Sequence, residues 1–197
     1  MKKLLFIINP KAGVKKNKHF VDDALEIFEK AGYKVGVKYT KKRADGTRIA
    51  RDYGAKADLI VCMGGDGTLN EVMQGMLEGE ISTPLGYIPA GSTNDFANSL
   101  GLRTNPKDQA EFIMETEAKS LDLGWFNGRY FVYTASAGIF TETSYSTPQE
   151  LKNRLGHFAY VLHGIREVFK IRRLKLRIET EDEVYENKYI FVAINNA

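Results

Sequence analysis

Cysteine is nearly absent from these 197 residues: the one thiol, Cys62, sits inside an apolar run. Neither a disulfide framework nor a cysteine zinc site is available, which fits a reducing, cytoplasmic compartment. The three histidines, His19, His157 and His163, are scattered and read as surface or packing residues rather than catalysts. No stretch reaches the roughly 18 consecutive apolar residues that a membrane span needs, so a soluble protein is expected. The opening MKKLLFIINPKAG begins basic and turns apolar, yet the run ends at Ile8 and Asn9-Pro10 follows without a small-residue cleavage site. It reads as a first strand, not a signal peptide. Repeats and low-complexity stretches are lacking, and so are several fingerprints. There is no Gly-x-x-x-x-Gly-Lys-Ser/Thr loop, no protein-kinase motif set, no Gly-x-Ser-x-Gly elbow and no His-Glu-x-x-His. The Gly65-x-Gly67 pair lacks the third glycine of a dinucleotide fingerprint, because Asn70 stands there.

What is present divides the chain in two. With 43% apolar residues it can bury a sizeable core, and a prior of ~100–200 residues per domain allows one domain or one and a half. Leu4–Ile8, Lys34–Tyr39, Asp58–Met63 and Pro84–Ile88 read as strands. Between them Phe20, Ala24, Ile27, Phe28 and Ala31 recur at helical spacing until Gly32, Thr47–Tyr53 reads as a helix, and Leu69, Val72, Met73, Met76 and Leu77 mark one helical face. A further helix starts at Pro106 with Asn105 as its cap. Apolar strands separated by helices imply a parallel α/β sheet covered on both faces, over residues 1–122.

After Leu121 the pattern changes. Asn127-Gly128 between apolar runs signals a hairpin. Leu174, Leu176 and Ile178 alternate with charged residues, Tyr189–Ile194 reads as one strand, and Leu155–Ile171 has helical periodicity. Residues 123–197 therefore read as the start of a β-rich sandwich domain. An apolar strand right at the chain's end would leave an open sheet edge, so the chain is expected to be cut short there.

Three small-residue loops follow strands and would meet at one sheet edge, where ligands of such sheets bind. They are Asn9-Pro10-Lys11-Ala12-Gly13, Gly64-Gly65-Asp66-Gly67-Thr68-Leu69-Asn70-Glu71 and Pro89-Ala90-Gly91-Ser92-Thr93-Asn94-Asp95-Phe96. Glycines let backbone amides approach phosphate, and a helix start adds free N–H groups and a favourable dipole. Lys11 suits a phosphate, and Ser92 and Thr93 offer hydroxyls. Asp66 would repel phosphate unless Mg²⁺ or a proton lies between them, and Asp95 is a second carboxylate. The plain alternative is a set of ordinary turns and caps.

Those three motifs, in that order and spacing, resemble the diacylglycerol kinase catalytic family, which shares its nucleotide-binding core with sphingosine kinases and, more distantly, NAD kinases. The likeness continues through Ser120-Leu-Asp-Leu-Gly124 and Thr147-Pro-Gln-Glu-Leu-Lys152 into Gly156-His-Phe-Ala-Tyr160. The resemblance implies ATP held in an interdomain cleft and its γ-phosphoryl moved, with Mg²⁺, to a lipid hydroxyl such as that of diacylglycerol. It implies nucleotide contacts from Asn9, Pro10, Lys11, Ala12, Gly13, Thr40, Gly65, Asp66, Gly67, Thr68, Leu69, Asn70, Glu71, Ser92 and Thr93. Asp66, Asp95 and Asp122 would shape the metal and phosphate environment, with Asp66 as the metal ligand. Family members are longer and carry an Asp-Gly-Glu motif that is proposed to supply a base; none occurs here. Phosphorylation of NAD or a sphingoid base by the same core, and a nucleotide-binding module without catalysis, stand beside the lipid-kinase reading.

Charge adds one more feature. From Lys152 to Arg177 eight basic residues face a single acid, Glu167, a net +7 that leaves −4 for the rest of a chain of net +3. Contact with an anionic membrane, transient and peripheral, and a solvated helix face are both open readings. Aromatics interleaved for stacking are not apparent, so nucleic acid is not expected. The oligomeric state, a homodimer included, stays open.

Overall fold

The computed structural model describes residues 1–12, 17–126, 128–138, 173–179 and 182–196. The chain forms two compact units. The first comprises Met1–Tyr133 with Asn196, and the second lies within Thr134–Asn195.

The first unit is built on four parallel strands. They are β1 (Lys2–Ile8), β2 (Tyr33–Tyr39), β3 (Leu59–Gly64) and β4 (Leu85–Pro89), in the order β2-β1-β3-β4. Because successive side chains point to opposite faces, a strand covered on both faces must be apolar at successive positions, and β1 from Leu4 to Ile8 and β3 from Leu59 to Met63 are. Leu4, Phe6 and Ile8 of β1 join Val61 and Met63 of β3 on one face, against Ala24 and Phe28 of α1 (Asn17–Lys30) and Ala110 of α5 (Pro106–Glu115). Leu5, Ile7, Ile60 and Cys62 occupy the other face, against Ile49 of α2 (Asp45–Tyr53) and Leu69 and Val72 of α3 (Asp66–Glu78). Phe6 and Phe28 meet edge to face, with ring centroids 5.4 Å apart. The α/β architecture expected from the apolar runs is the one formed.

Local signals explain the element ends. Asn105 accepts the N–H of Lys107 at 2.9 Å and caps α5 in front of Pro106. Gln109, 2% exposed, donates to the Tyr87 carbonyl at 3.0 Å and accepts the Arg103 N–H at 3.0 Å. It thereby satisfies a backbone acceptor on the outer side of β4, the last strand of the sheet. Where α2 crosses α3, a Cβ on Gly75 would lie 2.1 Å from the Thr47 carbonyl oxygen, so only glycine permits that approach.

A short helix, α4 (Asp95–Ser99), lies between β4 and α5, and the unit ends in an antiparallel hairpin of β5 (Gly124–Phe126) and β6 (Arg129–Phe131). Gly128, at φ +79°, takes the left-handed turn that the Asn-Gly signal calls for. The composition changes at 122/123, whereas the compact unit runs on to Tyr133, because Phe131 and Val132 are buried and Val132 joins the core.

The second unit is antiparallel where described. β7 (Thr134–Gly138) pairs with β10 (Phe191–Asn195), and β8 (Leu174–Glu179) with β9 (Val184–Tyr189). The single strand expected over Tyr189–Ile194 is two strands that break at Ile190. Tyr189 belongs to the β8 hairpin and Phe191 to the β7 pair, so one run of apolar residues serves two partners. The helix expected over Leu155–Ile171 lies outside the described residues.

Candidate functional site

The four parallel strands all end at the same edge of the sheet, and backbone hydrogen bonds stitch the loops that leave them. After β1, the Asn9 N–H reaches the Met63 carbonyl at 2.9 Å. After β2, the Thr40 N–H reaches Ile8 at 2.9 Å, and after β4 the Ala90 N–H reaches Gly64 at 2.7 Å. Parallel pairing thus continues past the strand ends and brings Asn9, Thr40, Gly64 and Ala90 side by side. Thr40 is buried.

Side chains then lock the loops. Asn9 donates through Nδ2 to Thr68 Oγ1 at 2.8 Å and accepts the Lys11 N–H at 3.0 Å, tying the first loop to α3. Asp66, the first residue of α3, accepts the N–H of Asp95 at 3.0 Å and of Phe96 at 3.3 Å. It thereby caps α4 from a different loop. Gly91 and Asn94 close their own turn, the Gly91 N–H donating to Asn94 Oδ1 at 2.8 Å. Gly65 and Gly91 come into backbone contact: a Cβ on Gly91 would stand 2.7 Å from the Gly65 Cα. Two loops far apart in sequence can meet so closely only because neither has a side chain there.

The start of α3 is open. The N–H groups of Thr68 and Leu69 turn back to the Gly65 carbonyl at 2.9 and 3.1 Å, while those of Asp66 and Gly67 have no acceptor among the described residues. Gly67 is exposed, and a Cβ there would meet nothing within 4 Å. Internal packing therefore does not require that glycine. Two free donors beside an open glycine at the N-terminus of a helix, whose dipole favours negative charge, are suited to phosphate oxygens.

Of the residues singled out in the sequence, Asn9, Pro10, Lys11, Ala12, Thr40, Gly65, Asp66, Gly67, Thr68, Ser92, Thr93 and Asp95 lie on the four loops or the helix start they lead to. Pro10, Lys11, Ser92, Thr93 and Asp95 are exposed there. Leu69 is buried in the core, Asn70 is exposed on α3, and Gly13 lies outside the described residues. The Glu71 carboxylate accepts the N–H groups of Ala44 and Gly46, at the end of the loop after β2 and the start of α2. Asp122 is exposed and its carbonyl accepts from Asn196 Nδ2 at 2.7 Å; among the described residues no hydrogen bond ties it to the strand-end loops. Sequence reasoning missed the bond between Asp66 and α4, and missed Tyr87, whose hydroxyl donates to the Gly64 carbonyl at 3.2 Å from a buried position. Burial, and then the Asp66 charge, push that phenol well above its ordinary pKa, so it stays a neutral donor. A tyrosine in a strand carries no signal for such a bond.

For a metal, no group of three or more His, Cys, Asp or Glu side chains among the described residues forms a cage. The Asp95 backbone N–H donates to the Asp66 carboxylate, which puts two aspartates at neighbouring positions on this edge. In the basic stretch, Lys175 pairs with Glu186 at 3.7 Å and Arg177 with Glu179 at 3.1 Å; these described cations of β8 face acids of their own hairpin. No helix among the described residues is long and apolar enough to cross a membrane.

A parallel α/β domain with small-residue loops and a free helix start at its carboxyl edge is the kind of core in which ligands bind outside the carboxyl ends of the strands. Residues 3–126 match the diacylglycerol kinase catalytic domain, and the chain belongs to that family. A diacylglycerol kinase of Staphylococcus saprophyticus is 37% identical over 188 residues, covering 95% of this chain and 62% of the relative. One of Bacillus subtilis is 34% identical over 196 residues, covering 98% of this chain and 65% of the relative. A crystal structure of a diacylglycerol kinase from Bacillus anthracis matches with a TM-score of 0.76 at 30% identity, covering 99% of this chain and 64% of that one. The chain spans less than two thirds of the length of these relatives.

Proposed function

We propose that this chain binds ATP at the carboxyl edge of its parallel sheet. In its gene product the γ-phosphoryl would pass to the hydroxyl of diacylglycerol or a related lipid, giving phosphatidic acid or its counterpart and ADP. The observation that carries the reading is the start of α3, where two N–H groups have no acceptor among the described residues beside the open Gly67, in a chain whose family is named for this activity.

In the transfer the lipid oxygen forms a bond to the γ-phosphorus, the bond from that phosphorus to the bridging oxygen breaks, and the hydroxyl proton leaves to a base or to water. Little covalent chemistry falls to the protein, so positioning and charge neutralisation dominate. The Asp66 and Gly67 amides bind phosphate oxygens, and Lys11, Ser92 and Thr93 line the same edge. Mg²⁺, when bound, offsets phosphate charge; Asp66 and Asp95 are the side chains that would hold it. The reaction takes place on the cytoplasmic side, with transient contact to an anionic membrane surface supplying the lipid.

Calorimetric titration of this chain with ATP and Mg²⁺ tests the binding half. The complete open reading frame that encodes it is then incubated with γ-labelled ATP and either diacylglycerol, sphingosine or NAD, with Asp66→Ala as control. Label in phosphatidic acid that disappears in the variant is the expected result. Label only in sphingosine or NAD keeps the core and moves the acceptor. Nucleotide binding without label in any acceptor overturns the diacylglycerol assignment.

A further inference from the structure

Glu71 lies in the Gly64–Glu71 run, yet its carboxylate is engaged inside the protein. Oε1 accepts the N–H of Ala44 at 2.8 Å and Oε2 the N–H of Gly46 at 3.1 Å. These are the N-cap and second residue of α2, a helix that has no side-chain cap of its own. A helix start leaves backbone donors without partners, and alanine cannot accept from them. The acceptor arrives from a neighbouring helix, 27 residues away from Ala44 in sequence.

Ala44 is also strained. Its φ of 65° and ψ of 5° put it in the left-handed region, which residues with a Cβ seldom occupy. Such conformations persist where surrounding contacts over-determine them, often beside functional sites. Here Asp45, 5% exposed, accepts the N–H groups of Lys41 at 2.8 Å and Lys42 at 3.1 Å. Two carboxylates, one local and one from α3, therefore fix the segment that joins Thr40 to α2. The clamp is tight: a Cβ on Gly46 would stand 2.9 Å from the Glu71 Cβ.

We infer that Glu71 is a positioning residue: its carboxylate holds the strained turn at Ala44, and so sets the Thr40 loop beside the helix start that offers amides to phosphate. This rests on the nucleotide reading of the site. The helix whose first residues offer amides to phosphate carries, five residues after Asp66, the group that places the adjacent loop. One rigid element thus fixes both walls.

The test compares the chain itself with Glu71→Gln and with Glu71→Gln combined with Ala44→Gly. ATP affinity is read by calorimetry with Mg²⁺, and protection of the Ala44 and Gly46 amides by hydrogen exchange. Glutamine keeps one acceptor and turns an NH₂ on the second N–H, so affinity should fall about tenfold, the equivalent of one charge-assisted hydrogen bond. Glycine adopts the left-handed turn without a Cβ penalty, so the double variant should recover much of that loss. A direct ligand contact from Glu71 predicts no recovery, and that result, or wild-type affinity in Glu71→Gln, overturns the proposal. Failure of the parent chain to bind ATP removes the nucleotide reading instead; amides that are protected in the parent and unprotected in Glu71→Gln would still establish the clamp. Unprotected amides in the parent overturn the clamp itself.

Discussion

Asp66 and Asp95 are joined by a hydrogen bond of 3.0 Å from the Asp95 N–H to the Asp66 carboxylate, and the next amide, that of Phe96, reaches the other oxygen at 3.3 Å. The first residue of α3 therefore caps α4, the helix that follows the loop after β4. Asp66 has a structural duty alongside any role toward metal and phosphate. Asp66→Ala removes both acceptors and should lower the unfolding free energy by about 1 kcal/mol, the usual worth of a cap. Asp66→Asn, which keeps one acceptor, should cost less, while both variants should lose phosphoryl transfer. Urea midpoints alongside transfer assays check the pair; equal midpoints for all three proteins would deny the capping role.

Gly67 separates stability from binding. Nothing lies within 4 Å of a Cβ built there, and alanine is better suited to helix by as much as ~1 kcal/mol. Gly67→Ala should leave the melting temperature unchanged or raised. Its methyl would occupy the space a phosphate needs, so ATP affinity should drop at least tenfold by calorimetry. Unchanged affinity would place the phosphates elsewhere.

The crossing of α2 and α3 should tolerate no side chain at Gly75. The obstacle there is the Thr47 backbone, 2.1 Å from the added Cβ, and a backbone atom cannot swing aside as a side-chain tip can. Gly75→Ala should destabilise by about 1–3 kcal/mol or more, read as a lowered urea midpoint. A shift smaller than half of that would mean that the helices separate easily.

Asp45 predicts an acid-sensitive loop. The N–H of Lys41 first, that of Lys42 next and Arg48 last hold its carboxyl below the usual value of 3.8. A group whose pKa is lowered by folding contributes stability that is fully present above its unfolded pKa and lost as pH falls through the folded one. The loss attributable to Asp45 should therefore begin below about pH 4. Asp45→Asn should show a flatter acid limb in midpoint against pH, with its deficit largest at neutral pH. Parallel acid limbs would assign the acid sensitivity to other carboxylates.

Much of this protein is determined by sequence alone. β1 and β3 are apolar at alternate and intervening positions, which forces helices onto both sheet faces, and Asn105-Pro106 sets the start of α5 by local chemistry. Glycine-rich loops at strand ends mark the candidate edge, because close approach by phosphate or by another backbone admits no side chain. Tertiary structure decided what those loops do to one another. That Gly65 lies on Gly91, that Asp66 caps α4 and that Glu71 caps α2 are contacts between groups 25 or more residues apart. Neither periodicity nor propensity encodes which carboxylate will meet which amide. Tyr189–Ile194 shows the same limit, since its one apolar run divides between two strand partners. Sequence patterns report the environment each residue needs; only the folded chain settles which partner provides it, because hydrogen bonds across loops depend on where parallel pairing has already brought the strand ends.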